Sequence, residues 1–148
     1  MTTTETGAAT AADAALYARV QQFYAWQMGL MDDDDAEAWA DTFTEDGEFR
    51  EPSRMEPLAG RAAIRSSARA NVDRRVAAGL RIRHWVGMLQ LRPGPDGTLL
   101  ARSYALAMRT PAGGALEVFA SVVCRDVLVP HGDGWLVRRR DLTHDAAR

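Results

Sequence analysis

The spacing of apolar residues divides the chain into a helical first half and a β-rich second half. Leu16, Val20, Phe23, Gln27 and Leu30 recur at helical spacing, with Tyr17, Tyr24 and Met31 on the adjoining stripe. This predicts a helix from Asp13 to near Met31 that buries a broad face. The Thr- and Ala-rich residues 1–12 before it predict a disordered tail, because small polar side chains cannot repay the entropy of ordering. Four aspartates follow, at positions 32 to 35. Asp34-Asp35-Ala36-Glu37 has the capping-box pattern, with Asp34 capping a second helix, Glu37 reaching back and Asp35 in the first turn. Asp32 and Asp33 are left without a helix-starting role. The second helix carries Trp39 and Phe43 inward and stops before the Asp46-Gly47 turn signal, which leads into a short strand over residues 48–51.

Pro52 and Pro57 confine the next segment to a loop, and Leu58-Ala59-Gly60-Arg61 opens a third helix. Ile64, Ala68, Val72 and Val76 mark its apolar stripe and Gly79 its stop, while Arg61, Arg65, Arg69, Arg74 and Arg75 are read as a solvated face. After Gly79 the pattern is that of strands over residues 81–91, 98–110, 116–129 and 135–142, separated by Pro/Gly turns. Helices first and an antiparallel meander second define an α+β fold. Several strands are apolar on both faces: Ile82, Val86 and Met88 oppose Trp85, Leu89 and Leu91, and Val118 and Val122 oppose Phe119 and Val123. Such a sheet wants cover on both sides. Three helices cover one, so a second copy of the chain is expected on the other, giving a homodimer.

Composition narrows the function classes. At 148 residues, 47% hydrophobic, the chain is one domain, placed at residues 13–145 with a short tail at 146–148. The formal charge of −2, with arginine supplying all 18 basic residues, gives no footprint for nucleic acid. No apolar run approaches the roughly 20 residues of a membrane span, and the N-terminus lacks the basic start and apolar centre of an export signal. The expected location is the cytoplasm, which agrees with the single cysteine.

Candidate chemistry centres on His84, planted among apolar residues of a β run. It is either a core histidine donating to a backbone carbonyl or a proton carrier at a cavity wall. Tyr24 and Tyr104 could supply a phenol or be core aromatics with satisfied hydroxyls. Glu51 and Glu117 are further acid candidates, and Met28, Met31, Met88 and Met108 suit an adaptable apolar pocket or an ordinary core. Asp126 and Arg140 read as a structural ion pair between neighbouring strands. No metal is expected, since His84, His131 and His144 lie far apart without ligand spacing. Cys124, mid-strand in an apolar run, reads as an inert thiol. The absence of a Gly-rich phosphate loop removes the usual nucleotide sites.

The stretches Val20-Gln21-Gln22-Phe23-Tyr24, Leu30-Met31-Asp32, Asp35-Ala36-Glu37-Ala38-Trp39, Thr42-Phe43-Thr44-Glu45-Asp46 and Pro57-Leu58-Ala59-Gly60-Arg61 resemble the SnoaL-like branch of the nuclear transport factor 2 superfamily. The later Arg83-His84-Trp85-Val86, Asp126-Val127-Leu128 and Gly134-Trp135-Leu136-Val137 agree, so the resemblance covers residues 12–145. It implies a strongly curved sheet around a conical cavity closed by the N-terminal helices, commonly dimeric. The scytalone dehydratase pattern of that branch puts its aspartate on Asp32 and its first active-site histidine on His84. Its second histidine falls near Arg109 and its tyrosine on Met31, so those two groups are missing here. The implied function is cofactor-free general acid–base catalysis by Asp32 and His84 on a hydrophobic polyketide or aromatic intermediate in bacterial secondary metabolism: cyclisation, dehydration or epoxide opening. Tyr24, Met28, Glu51, Trp85, Met88, Tyr104 and Arg109 are the expected substrate contacts. The alternatives are a non-catalytic partner like the β subunits of ring-hydroxylating dioxygenases, and a small-molecule carrier.

Overall fold

The computed structural model describes residues 11–147. The predicted tail therefore lies outside the described residues up to position 10, and Ala11 and Ala12 already belong to the first helix. In chain order the elements are α1 (Ala11–Asp32), α2 (Ala36–Ala40), β1 (Phe43–Arg50), β2 (Leu58–Ala59), α3 (Arg61–Ala77), β3 (Leu80–Pro93), β4 (Leu99–Pro111), β5 (Glu117–His131) and β6 (Gly134–His144). The strands form one sheet in the order β2-β1-β6-β5-β4-β3. Neighbours are antiparallel except for β1 and β6, which run parallel. This is the expected α+β architecture with a mixed sheet.

Helices cover the concave face of the sheet. Val20, Phe23 and Tyr24 of α1, Trp39 of α2 and Ile64, Ala68 and Val72 of α3 pack with Phe43, Leu99, Leu128 and Val137 into one buried cluster. Edge-on packing of Trp39 on Phe43, with centroids 4.9 Å apart, sits near its centre. Phe43 is inward as the sequence predicts, but as the first residue of β1. The second helix is only five residues long and ends at Ala40, because the Thr42 hydroxyl and amide both turn back to the Trp39 carbonyl.

The aspartate run is resolved differently from the capping-box reading. Asp34 adopts a left-handed conformation (φ 68°), and the amides of Asp34 and Asp35 bond to the carbonyls of Met31 and Leu30. That is a Schellman stop for α1, with an aspartate in the position glycine usually holds. Asp35, not Asp34, caps α2 by accepting from the Ala38 amide at 3.1 Å. Glu37 pairs across with Arg69 instead of reaching back to the cap. The α3 arginines are correspondingly less free than a solvated face implies. Arg75, with only 11% of its side chain exposed, bonds the Met31 carbonyl and the Asp34 carboxylate, and Arg61 donates to the Phe43 carbonyl. Val76, expected on the apolar stripe, is exposed.

Two irregularities correct the assignment of faces. The β3–β4 register shifts between Gly87 and Gln90, with Met88 left-handed at φ 53°. This bulge turns Met88 outward and brings Leu89 and Leu91 to the side of Val86, the reverse of strict alternation. A second shift, after Ala107, pairs Ala107 with Ala120 and Met108 with Val118, so Val118 leaves the face of Val122. On the convex face Trp85 pairs directly with Leu106, and Tyr104 lies beside them, all three exposed.

Candidate active site

One face of α1 carries Gln21, Tyr24, Ala25, Met28, Gly29 and Asp32, which recur at i, i+3 and i+4 spacing. Together with His84, Trp85, Val86 and Leu89 of β3 these residues enclose a cavity of about 400 Å³. Gly29 contributes by what it lacks: a Cβ built there would meet nothing within 4 Å, so this part of the helix borders open space. Leu89 reaches the cavity only because the bulge turned it inward.

Asp32, the last residue of α1, is buried where a helix C-terminus disfavours a carboxylate. Two donors from His84 offset that cost. The His84 backbone amide donates to Oδ2 at 3.0 Å, and Nδ1 lies 2.6 Å from Oδ1. A carboxylate only accepts, so the proton sits on Nδ1 and the lone pair of the neutral ring is on Nε2. β3 is the edge strand of the sheet, and Asp32 occupies one of its otherwise unpaired amides. The arrangement fixes ring orientation and tautomer together, as a base within a cavity requires.

Behind the cavity lies a buried polar network. Tyr24 donates its hydroxyl to Asp126 at 2.6 Å, Arg140 contacts the same carboxylate at 2.8 and 2.9 Å, and Gln27 bridges Arg140 and Thr42. The Asp126–Arg140 ion pair expected from the sequence is present, and it anchors Tyr24. Burial, and after it the Asp126 charge, push the Tyr24 phenol well above its ordinary value, so it stays protonated. Cys124 is buried beside Asp126 and its thiol is likewise pushed up, chiefly by burial, which keeps it an unreactive thiol.

The other predicted site residues divide. Tyr24, Met28 and Trp85 line the cavity, the last at its rim with its ring largely exposed. Met88 faces solvent beyond the bulge, and Tyr104 lies on the convex face under the Arg102 guanidinium. Arg109 pairs with Glu117 at 2.9 Å over the Phe119 ring and, directly opposite Ile82, falls on the same face of the sheet as His84, one pleat along. Glu51 stands at the far side of the sheet, 3.9 Å from His144. Gln21, Ala25, Gly29, Val86 and Leu89 are cavity residues that the sequence reading did not single out. The α1 members were legible as the face one step round the helix from Val20 and Phe23. A larger groove of about 620 Å³ runs past Val76, Arg81, Arg83 and Pro111. It holds no histidine, so the smaller cavity with the His84–Asp32 pair is the better site. Among the described residues no three His, Cys, Asp or Glu side chains group as a metal would need, and no helix is long and apolar enough to cross a membrane.

A mixed six-stranded sheet covered by helices on one face defines an α+β fold of the cystatin-like kind. A Novosphingobium aromaticivorans protein described as NTF2-like with a cystatin-like fold shares it: TM-score 0.75 at 22% identity, covering 96% of this chain and 94% of that one. The chain belongs to the SnoaL-like domain family, which it matches over residues 12–141. ActVI-ORFA from Streptomyces coelicolor is 36% identical, covering 89% of this chain and 96% of that one, with TM-score 0.82. A Catenulispora acidiphila protein solved in complex with S-DNPA is 40% identical, covering 90% of this chain and 96% of that one, with TM-score 0.77. A comparison with curated proteins gives no match.

Proposed function

We propose that this protein is a cofactor-free enzyme of the cyclase or dehydratase kind, acting by general acid–base catalysis on a hydrophobic aromatic polyketide intermediate. The observation that carries the reading is the double contact of Asp32 with His84 at the wall of a cavity otherwise lined largely by apolar groups. His84 Nε2 takes a proton from carbon or oxygen of the substrate, and Asp32 stabilises the imidazolium that forms. The same nitrogen returns the proton to a departing or newly formed oxygen. Apolar walls from Met28, Val86 and Leu89 hold a flat ring system and keep water from competing. Membership of the SnoaL-like family and the similarity to ActVI-ORFA support a cyclase- or dehydratase-like role, and the largely apolar cavity supports a hydrophobic substrate.

We also propose that the working form is a cytoplasmic homodimer joined through the convex face, where Trp85, Tyr104 and Leu106 present apolar surface to solvent. The catalytic reading is tested by assaying His84→Ala and Asp32→Asn on aromatic polyketide intermediates, and on S-DNPA, the compound in the Catenulispora acidiphila complex, with product formation followed by chromatography. Both variants should keep the wild-type circular dichroism spectrum and lose turnover. Wild-type turnover in either one sinks the proposal.

A further inference from the structure

The concave face carries a second histidine–carboxylate pair that neither the catalytic proposal nor the family match uses. His84 pairs with Ala107, and Ala107 with Ala120; one pleat along, Val86 pairs with Ala105, Ala105 with Val122 and Val122 with His144. Directly opposed residues of neighbouring strands share a face. His144 therefore lies on the same concave face as His84, three strands away. Between them on that face lie the small side chains of Ala105, Ala107, Ala120 and Val122, of which Ala107 and Val122 are buried.

Beside His144, from the adjacent end of β1, stands Glu51. Nε2 of His144 lies 3.9 Å from Glu51 Oε1, is shut off from solvent and has no hydrogen-bond partner among the described residues. At that distance no hydrogen bond is made, and a buried ring nitrogen left unpaired is costly. The side chain is nevertheless 30% exposed, so atoms of it other than Nε2 reach solvent. The pair resembles Asp32–His84 with the nitrogens exchanged: there Nδ1 is gripped, here Nε2 faces the carboxylate, and Nδ1 is the ring's other hydrogen-bonding atom.

We propose that His144, positioned by Glu51, is a specificity-determining contact of the same site, hydrogen-bonding a hydroxyl or carbonyl oxygen at the end of the substrate remote from His84. This rests on the reading of the concave face as a site for an aromatic polyketide. Separation decides against a shared chemical step. Three strand spacings of about 4.8 Å and one pleat of about 6.6 Å put the two positions roughly 16 Å apart across the sheet, less in a straight line over its concave surface. Two groups so placed cannot exchange protons with neighbouring substrate atoms, but they can hold the two ends of a fused-ring molecule.

The test compares two fluorescent probes, 2,6-dihydroxynaphthalene with an oxygen at both ends and 2-naphthol with one. Wild-type protein should bind the diol about tenfold more tightly. His144→Ala should bring the ratio near one while leaving 2-naphthol affinity unchanged, and Glu51→Gln should reduce the ratio partway. His144→Gln, which keeps a donor and an acceptor, should restore part of it and guards against misfolding of the alanine variant, checked by thermal melting. A wild-type protein that does not distinguish the probes, or a His144→Ala variant that keeps the full ratio, overturns the inference. His84→Ala separates this outcome from failure of the catalytic reading: there turnover alone is at issue, and the response of the ratio to His144 stands or falls independently.

Discussion

Asp32 holds His84 at two points, one on the backbone and one on the ring, so the end of α1 and the edge strand β3 are fastened by the same carboxylate that orients the imidazole. Asparagine at position 32 is nearly isosteric but has only one accepting atom, and its NH2 opposes one of the two donors. Asp32→Asn should lower turnover by about 10²–10⁴-fold, the usual worth of a positioned proton carrier. Stability should fall by about 1–3 kcal/mol because one buried donor loses its partner. Nitrogen NMR of the ring should show the loss of the Nδ1–H tautomer preference; an unchanged tautomer together with unchanged turnover would remove the proposed role of Asp32.

The hydroxyl of Tyr24 serves the interior before it serves a substrate. Tyr24→Phe leaves Asp126 with Arg140 and Cys124 but without its phenol donor, and urea unfolding should show a loss of about 1–3 kcal/mol. The pH dependence has a definite sign. The folded-state phenol ionises well above the ordinary 10.0, so its contribution is whole below that pH and is lost as pH rises through the folded value. Wild-type stability should therefore fall in the alkaline range by more than that of Tyr24→Phe. Equal alkaline slopes would show that Tyr24 is not held as a neutral donor.

The Schellman stop at Asp34 can be weighed separately from its ion pair with Arg75. Asp34→Gly and Asp34→Val both remove the carboxylate, but only glycine is at ease at φ 68°. The valine variant should be less stable than the glycine variant by about 1–2 kcal/mol. Thermal melting of the two proteins side by side measures this, and identical midpoints would mean that α1 ends by other means.

The convex face makes its own prediction. Leu106 lies between Trp85 and Ser121 in the cross-strand row, exposed and far from the core cluster. Leu106→Glu places a charge in the proposed dimer contact without disturbing the concave side. Sedimentation should show a dimer for the wild type and a monomer for the variant, with the melting profile of the isolated protomer little changed. A monomeric wild type would reject the dimer.

Much of this fold was legible because hydrophobic period and turn residues act locally. α1, α3 and the four long strands fall close to their predicted bounds, and Asp126–Arg140 was readable from an acid and a base on adjoining antiparallel strands. The partnership of Asp32 with His84 entered through family resemblance, and the geometry brings the two together across 52 positions of sequence. What the pattern could not supply was set by tertiary structure. Alternation along β3 fails at Met88 because a bulge inserts a residue, and the outward placement of Met88 follows from that. Arg75 reads as solvated from helix periodicity alone, yet it closes on the loop between α1 and α2, which no local rule foresees. Asp34 and Asp35 exchanged roles because a left-handed stop and a side-chain cap compete for neighbouring aspartates.

The stop that ends α1 also makes the helix a ruler. With the far end of the chain's first element fixed at Asp34, the carboxylate meets His84 only at one helix length: each added or deleted residue would swing Asp32 by about 100° and slide it about 1.5 Å along the axis. Insertions elsewhere, in the turns between the long strands, leave this measure untouched. The length of α1 between its Tyr24 anchor and its terminal aspartate, more than any single side chain, therefore sets the alignment of the proposed proton relay.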